Sequence, residues 1–124
     1  MINECRELCR KYTVLTENQI DFISSFLDKL QDIADKEESN VYIDCLTFNE
    51  NSMIVVGEAR PMNAESIYRE SLIGLVIKAY KEPAVERAFR IGVPTVGVLG
   101  REMPTAEKVI QSAFPILFEG TVVA

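Results

Sequence analysis

Read for the spacing of its apolar positions, the chain changes period twice. Residues 2–11 place Ile2, Cys5, Leu8 and Cys9 at helical intervals, with Tyr12 next in the series. After a turn over 12–15, Thr16-Glu17-Asn18-Gln19 has the form of a capping box, a Thr hydroxyl for the third amide and a Gln reaching back. Ile20, Ile23, Leu27, Leu30 and Ala34 follow at steps of three and four, and Phe22, Phe26 and Ile33 widen that stripe. This predicts one amphipathic helix over 16–34, running to the charged cluster at 35–38. The period then shortens. Residues 41–48 and 53–60 read as strands separated by the polar Asn49-Glu50-Asn51-Ser52, a hairpin pattern, and Pro61 closes the second because it has no N–H to donate.

Residues 62–81 are ambiguous, with a turn or short helix at 66–68 and an apolar run at 72–79 around Gly74. Pro83 in a first turn and Gly92 just past an end bracket a short helix that carries Val85, Ala88 and Phe89 on one face. A strand is predicted at 95–99, a loop with Pro104 at 101–105, and a second hairpin from 109–117 and 120–124 turning near Glu119-Gly120. Hairpin-linked neighbours imply an α+β fold, a central mostly antiparallel sheet flanked by helices, rather than a doubly wound parallel sheet. At 124 residues this is one domain, 1–124, with a helical lead-in over 1–35 and a sheet-containing core over 41–124. The last strand stops at Val122-Val123-Ala124 without a polar exit, and the expectation is that the natural chain continues.

Charge narrows the partners. Lys and Arg number 13 against 19 Asp and Glu, a net charge of −6, and such a surface repels phosphate backbones and anionic lipid. Neither nucleic acid nor membrane is therefore an expected partner. No apolar run is long enough to span a bilayer and the start has no signal-peptide core, so a cytoplasmic domain is expected. Cys5, Cys9 and Cys45 are then expected as reduced thiols.

The sequence contains no histidine, the residue on which most general-base, nucleophile-activating and metal-binding sites lean. Carboxylate or thiolate chemistry is what remains. Asp44 and Glu58 lie in the two strands of the first hairpin, where they could be cross-strand neighbours; the simpler expectation is that both face solvent on one side of the sheet. Cys5 and Cys9, four apart on a helix, share a face and with Cys45 could offer three thiolates. The spacing lacks a tight Cys-x-x-Cys pair and a fourth ligand, so a core role is expected and no metal or other cofactor. Gly97-Val98-Leu99-Gly100 has an apolar interior and no basic neighbours, unlike a nucleic-acid clamp, and no phosphate-binding glycine loop occurs. The most informative stretch runs from Glu58 and Arg60 through Tyr68 and Arg69. A strand ends there at a proline, and a connecting segment crosses the sheet toward Glu82-Pro83. Irregular segments over a sheet commonly wall a small-ligand site, which makes Asp44, Glu58, Arg60, Tyr68 and Arg69 the candidate ligand-binding residues.

Several of these runs taken in order carry a resemblance: Leu8-Cys9-Arg10-Lys11-Tyr12, Leu15-Thr16, Gly57-Glu58-Ala59-Arg60-Pro61, Ser66-Ile67-Tyr68, Leu72-Ile73-Gly74, Glu82-Pro83-Ala84-Val85 and Ala88-Phe89. From about Leu8 to Ala124 the chain resembles the amino-terminal domain of a family of bacterial sensor histidine kinases. The resemblance implies a GAF/PAS-like fold, followed in the longer protein by a PAS domain and a two-component kinase core. It implies that phosphorylation belongs to that longer protein, since this stretch has neither the acceptor histidine nor an ATP-binding segment. The function expected is a sensory input module, not itself an enzyme, that binds an unknown small-molecule signal or a partner and biases the kinase. The 16–34 helix carries more apolar surface than one sheet face needs, so a homodimer through it or the preceding helix is expected. Two alternatives stand beside this: a thiol-based redox enzyme or sensor on the same frame, and a pure protein-interaction domain.

Overall fold

The computed structural model describes residues 2–62, 70–102 and 107–124. Helix α1 (Ile2–Tyr12) turns Cys5 and Cys9 inward, both fully buried. The predicted capping box opens α2 (Glu17–Ser24): the Gln19 N–H donates to the Thr16 hydroxyl at 3.2 Å, and the Thr16 N–H donates to the Gln19 carboxamide oxygen at 2.9 Å. Arg6 with Asp21 and Arg10 with Glu17 tie α1 to α2 on the solvent side.

The helix expected to run unbroken over 16–34 is two helices, α2 and α3 (Leu27–Glu37). The reason lies in Ser24 and Ser25, whose hydroxyls donate to the carbonyls of Asp21 and Phe22 at 2.9 and 2.5 Å. The Phe26 N–H reaches back only three residues, to Ile23. Serine hydroxyls that compete for helix carbonyls tighten the turn. Ser25 and Phe26 nevertheless keep right-handed helical torsions, so the stripe stays in phase. Ile20, Ile23, Leu27, Leu30 and Ala34 are all buried. Of the residues that widen the stripe, Phe22 and Phe26 are half-buried and Ile33 is exposed.

The first hairpin forms as predicted, from β1 (Val41–Leu46) and β2 (Ser52–Ala59). Its register slips once: Ile43 lies opposite Gly57 but Asp44 opposite Val55, which leaves Val56 as the extra residue of a β-bulge. The slip turns Ile54 and Val56 together with Ile43 and Cys45 toward the helices, where they complete the core formed by α1, α2 and α3. Gly57 allows α3 to close onto β2, since a Cβ there would stand 2.7 Å from Leu27 Cδ2. Met53 and Val55 are equally buried but belong to the opposite face.

Strand β3 (Val76–Lys78) joins the far side of β2, giving the order β1-β2-β3. Ahead of it Gly74, at φ 89, donates to the Val55 carbonyl at 2.8 Å, a conformation that suits a residue without Cβ. A turn of 3-10 helix over Ala79–Lys81 leads into α4 (Pro83–Ile91), which begins at the predicted proline and ends at Gly92. Its Ala84 and Ala88 are buried outside the helix-side core, and Val85 and Phe89 are half-buried.

The C-terminal strands differ from expectation. Strand β5 (Glu107–Ala113) pairs with β4 (Thr95–Glu102), not with 120–124. The turn at Glu119-Gly120 joins only the short β6 (Leu117–Phe118) and β7 (Thr121–Val122). Pro115, which cannot donate to a ladder, separates β5 from β6. Among the described residues all pairing is antiparallel, in groups of three, two and two strands. The fold class is the expected α+β arrangement. Among the described residues no helix is long and apolar enough to cross a membrane.

Candidate functional site

Alternation along β1 gives its two faces different chemistry. Ile43 and Cys45 face the helices, so Tyr42, Asp44 and Leu46 face the other way. On β2 the bulge places Met53, Val55 and Glu58 on that second face, with Glu58 opposite Tyr42 and Asp44 opposite Val55. Asp44 and Glu58 are therefore diagonal neighbours rather than a direct cross-strand pair.

Neither carboxylate is the solvent-facing group expected. Glu58 is half-buried and accepts the Leu72 N–H at 2.9 Å, which pins the segment before β3 to the sheet. The Asp44 residue reaches the surface in part, but its Oδ1 is sealed from solvent and has no hydrogen-bond partner among the described residues. A second carboxylate comes from α4. Glu82, 8% exposed at the head of that helix, lies close enough for its charge to act on Asp44. Burial, with the repulsion of Glu82 added, pushes Asp44 up to about 7.

Strand β5 supplies the next layer. Gln111 donates to Glu82 Oε2 at 3.0 Å across Gly100, where a Cβ would stand 2.6 Å from Gln111 Oε1. Arg87 of α4 donates to the buried Thr95 of β4 at 3.2 Å. This face of the hairpin thus carries Tyr42, Asp44 and Glu58 beside the buried Met53 and Val55, and Gln111 joins β5 to Glu82 at the head of α4.

Arg60 sits elsewhere: its carbonyl accepts from Gln31 of α3 at 2.6 Å and its guanidinium donates to the Glu70 carbonyl at 2.6 Å. Tyr68 and Arg69 lie outside the described residues. The structure brings Asp44 and Glu58 onto one face and adds Glu82 and Gln111, which sequence reading did not assign to the site. Glu82 had a signal, a carboxylate beside the helix-starting proline. Gln111 had none, because its role depends on how β5 is placed.

The three cysteines meet on the helix side of the sheet, all with no exposure. Hydrogen bonding to Cys9, then burial, pushes the Cys5 thiol far up. Hydrogen bonding to Cys45, opposed by that to Cys5 and reinforced by burial, pushes Cys9 up to about 12. A reactive thiolate needs the opposite environment. Among the described residues no group of three or more Cys, Asp or Glu is arranged to hold a metal ion.

The fold is that of a GAF domain. Over residues 5–124 the chain matches the family model described as the GAF domain of the histidine kinase PdtaS, and it belongs to that family. A solved structure described as the sensor region of a sensor histidine kinase shares the fold, with a TM-score of 0.71 at 19% identity. The match covers 96% of this chain and 39% of that one, so this chain spans well under half the length of that structure. No curated protein matches.

Proposed function

We propose that this domain is the signal-input module of a longer histidine kinase, and that it binds a small molecule on the α4 side of the hairpin. The observation that carries the reading is Asp44 Oδ1, a buried acceptor with no hydrogen-bond partner among the described residues. A buried polar atom left unsatisfied costs about 1–3 kcal/mol, and such costs persist where a bound group repays them. The binding energy then favours one arrangement of the domain, and the following PAS and kinase segments, paired in a cytoplasmic homodimer, respond to that bias.

Thermal unfolding of the domain against a panel of small metabolites tests the first half. At least one should raise the melting temperature of the wild type, and Asp44→Leu, which fills the site with an apolar group, should abolish the rise. A folded domain that no small molecule stabilises would refute ligand sensing. Autophosphorylation of the longer kinase with and without the hit tests the second half.

A second reading, a protein-interaction domain, is favoured by one surface. Leu99 and Ile110 are cross-strand neighbours on the outer side of the β4–β5 hairpin, and both are exposed, as are Val96 and Phe114. Ile110→Lys distinguishes it. If the hairpin pairs two copies, the substitution turns a dimer into a monomer in sedimentation without changing ligand binding.

A further inference from the structure

The tip of the first hairpin gathers two other segments at one end of the domain. The Phe48 N–H donates to the Tyr12 carbonyl at the end of α1, and the Ala79 N–H donates to the Asn51 carbonyl, both at 3.0 Å. The register agrees, since Lys78 closes β3 opposite Ser52, the first residue of β2. Asn49 fixes the tip itself, accepting from the Thr47 hydroxyl and the Asn51 N–H at 3.0 Å each, so this surface is in shape before a partner arrives. Three large apolar side chains are exposed on these segments: Val14 at 71%, Phe48 at 59% and Tyr80 at 76%. Lysines accompany them. Lys11 lies over the Tyr12 ring at 5.4 Å and Lys81 over the Tyr80 ring at 6.0 Å. Both are exposed, as is Lys78, and among the described residues none of the three is in an ion pair, whereas Arg6, Arg10 and Arg90 are. Glu50 is the exposed acid of the tip; Glu82, next to Lys81, is buried and accepts from Gln111.

In a chain of net charge −6 this end is therefore basic as well as apolar. An aromatic anchor with lysines around it has the layout of an interface, apolar at the centre and charged at the rim. Such a rim selects a partner of opposite charge and speeds its encounter. Symmetric pairing of two copies through this end would set lysines against lysines. An anionic bilayer would attract the lysines but repel the acidic remainder of the chain. We propose that this end of the domain docks an acidic protein segment, with its carboxylates on Lys11, Lys78 and Lys81 and an apolar side chain on Phe48, between Val14 and Tyr80. The surface shares no residue with the Asp44 face or the β4–β5 hairpin, so it stands or falls apart from ligand sensing.

The probe is a short labelled peptide of alternating glutamate and leucine, followed by fluorescence anisotropy, with a lysine–leucine peptide and phosphatidylserine vesicles alongside. The acidic peptide should bind, more weakly as salt rises, and the basic peptide should not. Lys11→Glu combined with Lys81→Glu should weaken binding about 10-fold or more, a loss on the order of 1.4 kcal/mol. Phe48→Ser should weaken it several-fold, and Lys36→Glu, on α3, should leave it unchanged. All four positions are exposed, and an unchanged melting temperature verifies each variant's fold. Amide chemical shifts of the wild type, which depend on no variant, should move at Val14, Phe48 and Tyr80 when the acidic peptide is added. Failure of that peptide to bind, binding indifferent to the lysine reversal, or shifts confined to another face would overturn the proposal. Preference for vesicles over the peptide, or self-association that Phe48→Ser abolishes in sedimentation, would overturn the class of partner in favour of lipid or a second copy.

Discussion

Asp44→Asn in the unliganded domain should make it more stable, and the gain should depend on pH in a definite direction. In the unfolded chain the carboxyl ionises near 3.8; in the folded domain burial and Glu82 hold it protonated up to about 7. Between those values the unfolded state has released a proton that the native state keeps, so the contribution of Asp44 to stability falls as pH rises. Below about 3.8 the penalty is absent, and above about 7 it is complete. At about 1.36 kcal/mol per pH unit, the interval amounts to roughly 4 kcal/mol of native-state destabilisation at its ceiling. Asparagine has no charge to desolvate but still buries an amide, which returns about 1 kcal/mol of the gain. The expected difference is thus about 1 kcal/mol against the variant at low pH, where the penalty is absent. Above about pH 7 it is roughly 3 kcal/mol in the variant's favour, a melting shift on the order of 10 °C there. Urea unfolding followed by circular dichroism across this range measures it. Comparing the two proteins at each pH removes the titration of other carboxylates. Parallel profiles, or a variant less stable at high pH, would refute an enclosed, unpaired Asp44.

Three further outcomes test the framework around the site. Gly57→Ala should destabilise by about 1–3 kcal/mol in urea unfolding, because the new Cβ would meet Leu27 Cδ2 at 2.7 Å and displace that buried side chain from its packing. Thr16→Ala removes the capping hydroxyl of α2 and should cost about 1 kcal/mol in the same assay, whereas Thr16→Ser should cost much less. Cys5 and Cys9 should resist Ellman's reagent at about pH 8 in the native domain and react fully once it is unfolded. Rapid reaction of either in the native state would revive a thiol-based function.

What could be read from the sequence was local. The Thr16–Gln19 capping box, the Pro83 and Gly92 limits of α4 and the first hairpin depend on neighbours a few residues apart, and each forms. The break between α2 and α3 escaped notice because its helical torsions preserve the apolar phase, so periodicity carries no trace of it. The pairing of β5 with β4 was missed because 109–117 reads as one apolar run, and only the placement of Pro115 shows that it ends at Ala113. Asp44 was named as a candidate but expected in water. Alternation correctly puts it opposite Ile43 and Cys45, yet nothing in β1 itself says that this face will be covered.

The position of Asp44 bears on how a signal would leave the site. On β1 it lies between Ile43 and Cys45, which pack against the helices from the other side of the sheet. The bulge at Ile43/Asp44 interrupts the ladder at this point, so β1 is held to β2 less regularly there than along the rest of the hairpin. A ligand that satisfies Asp44 should restrain this stretch, and Cys45 is buried in the same helix-side core as Cys9 of α1. Proximity alone is not coupling; coupling requires that binding change the stability of the helix. Amide hydrogen exchange measures that directly. Saturating ligand should slow exchange across β1 and in the Cys5–Cys9 turn of α1, and Asp44→Asn should remove both effects together. Protection confined to β1 and α4, with α1 unchanged, would show that the site stabilises its own walls and that the signal leaves by another element.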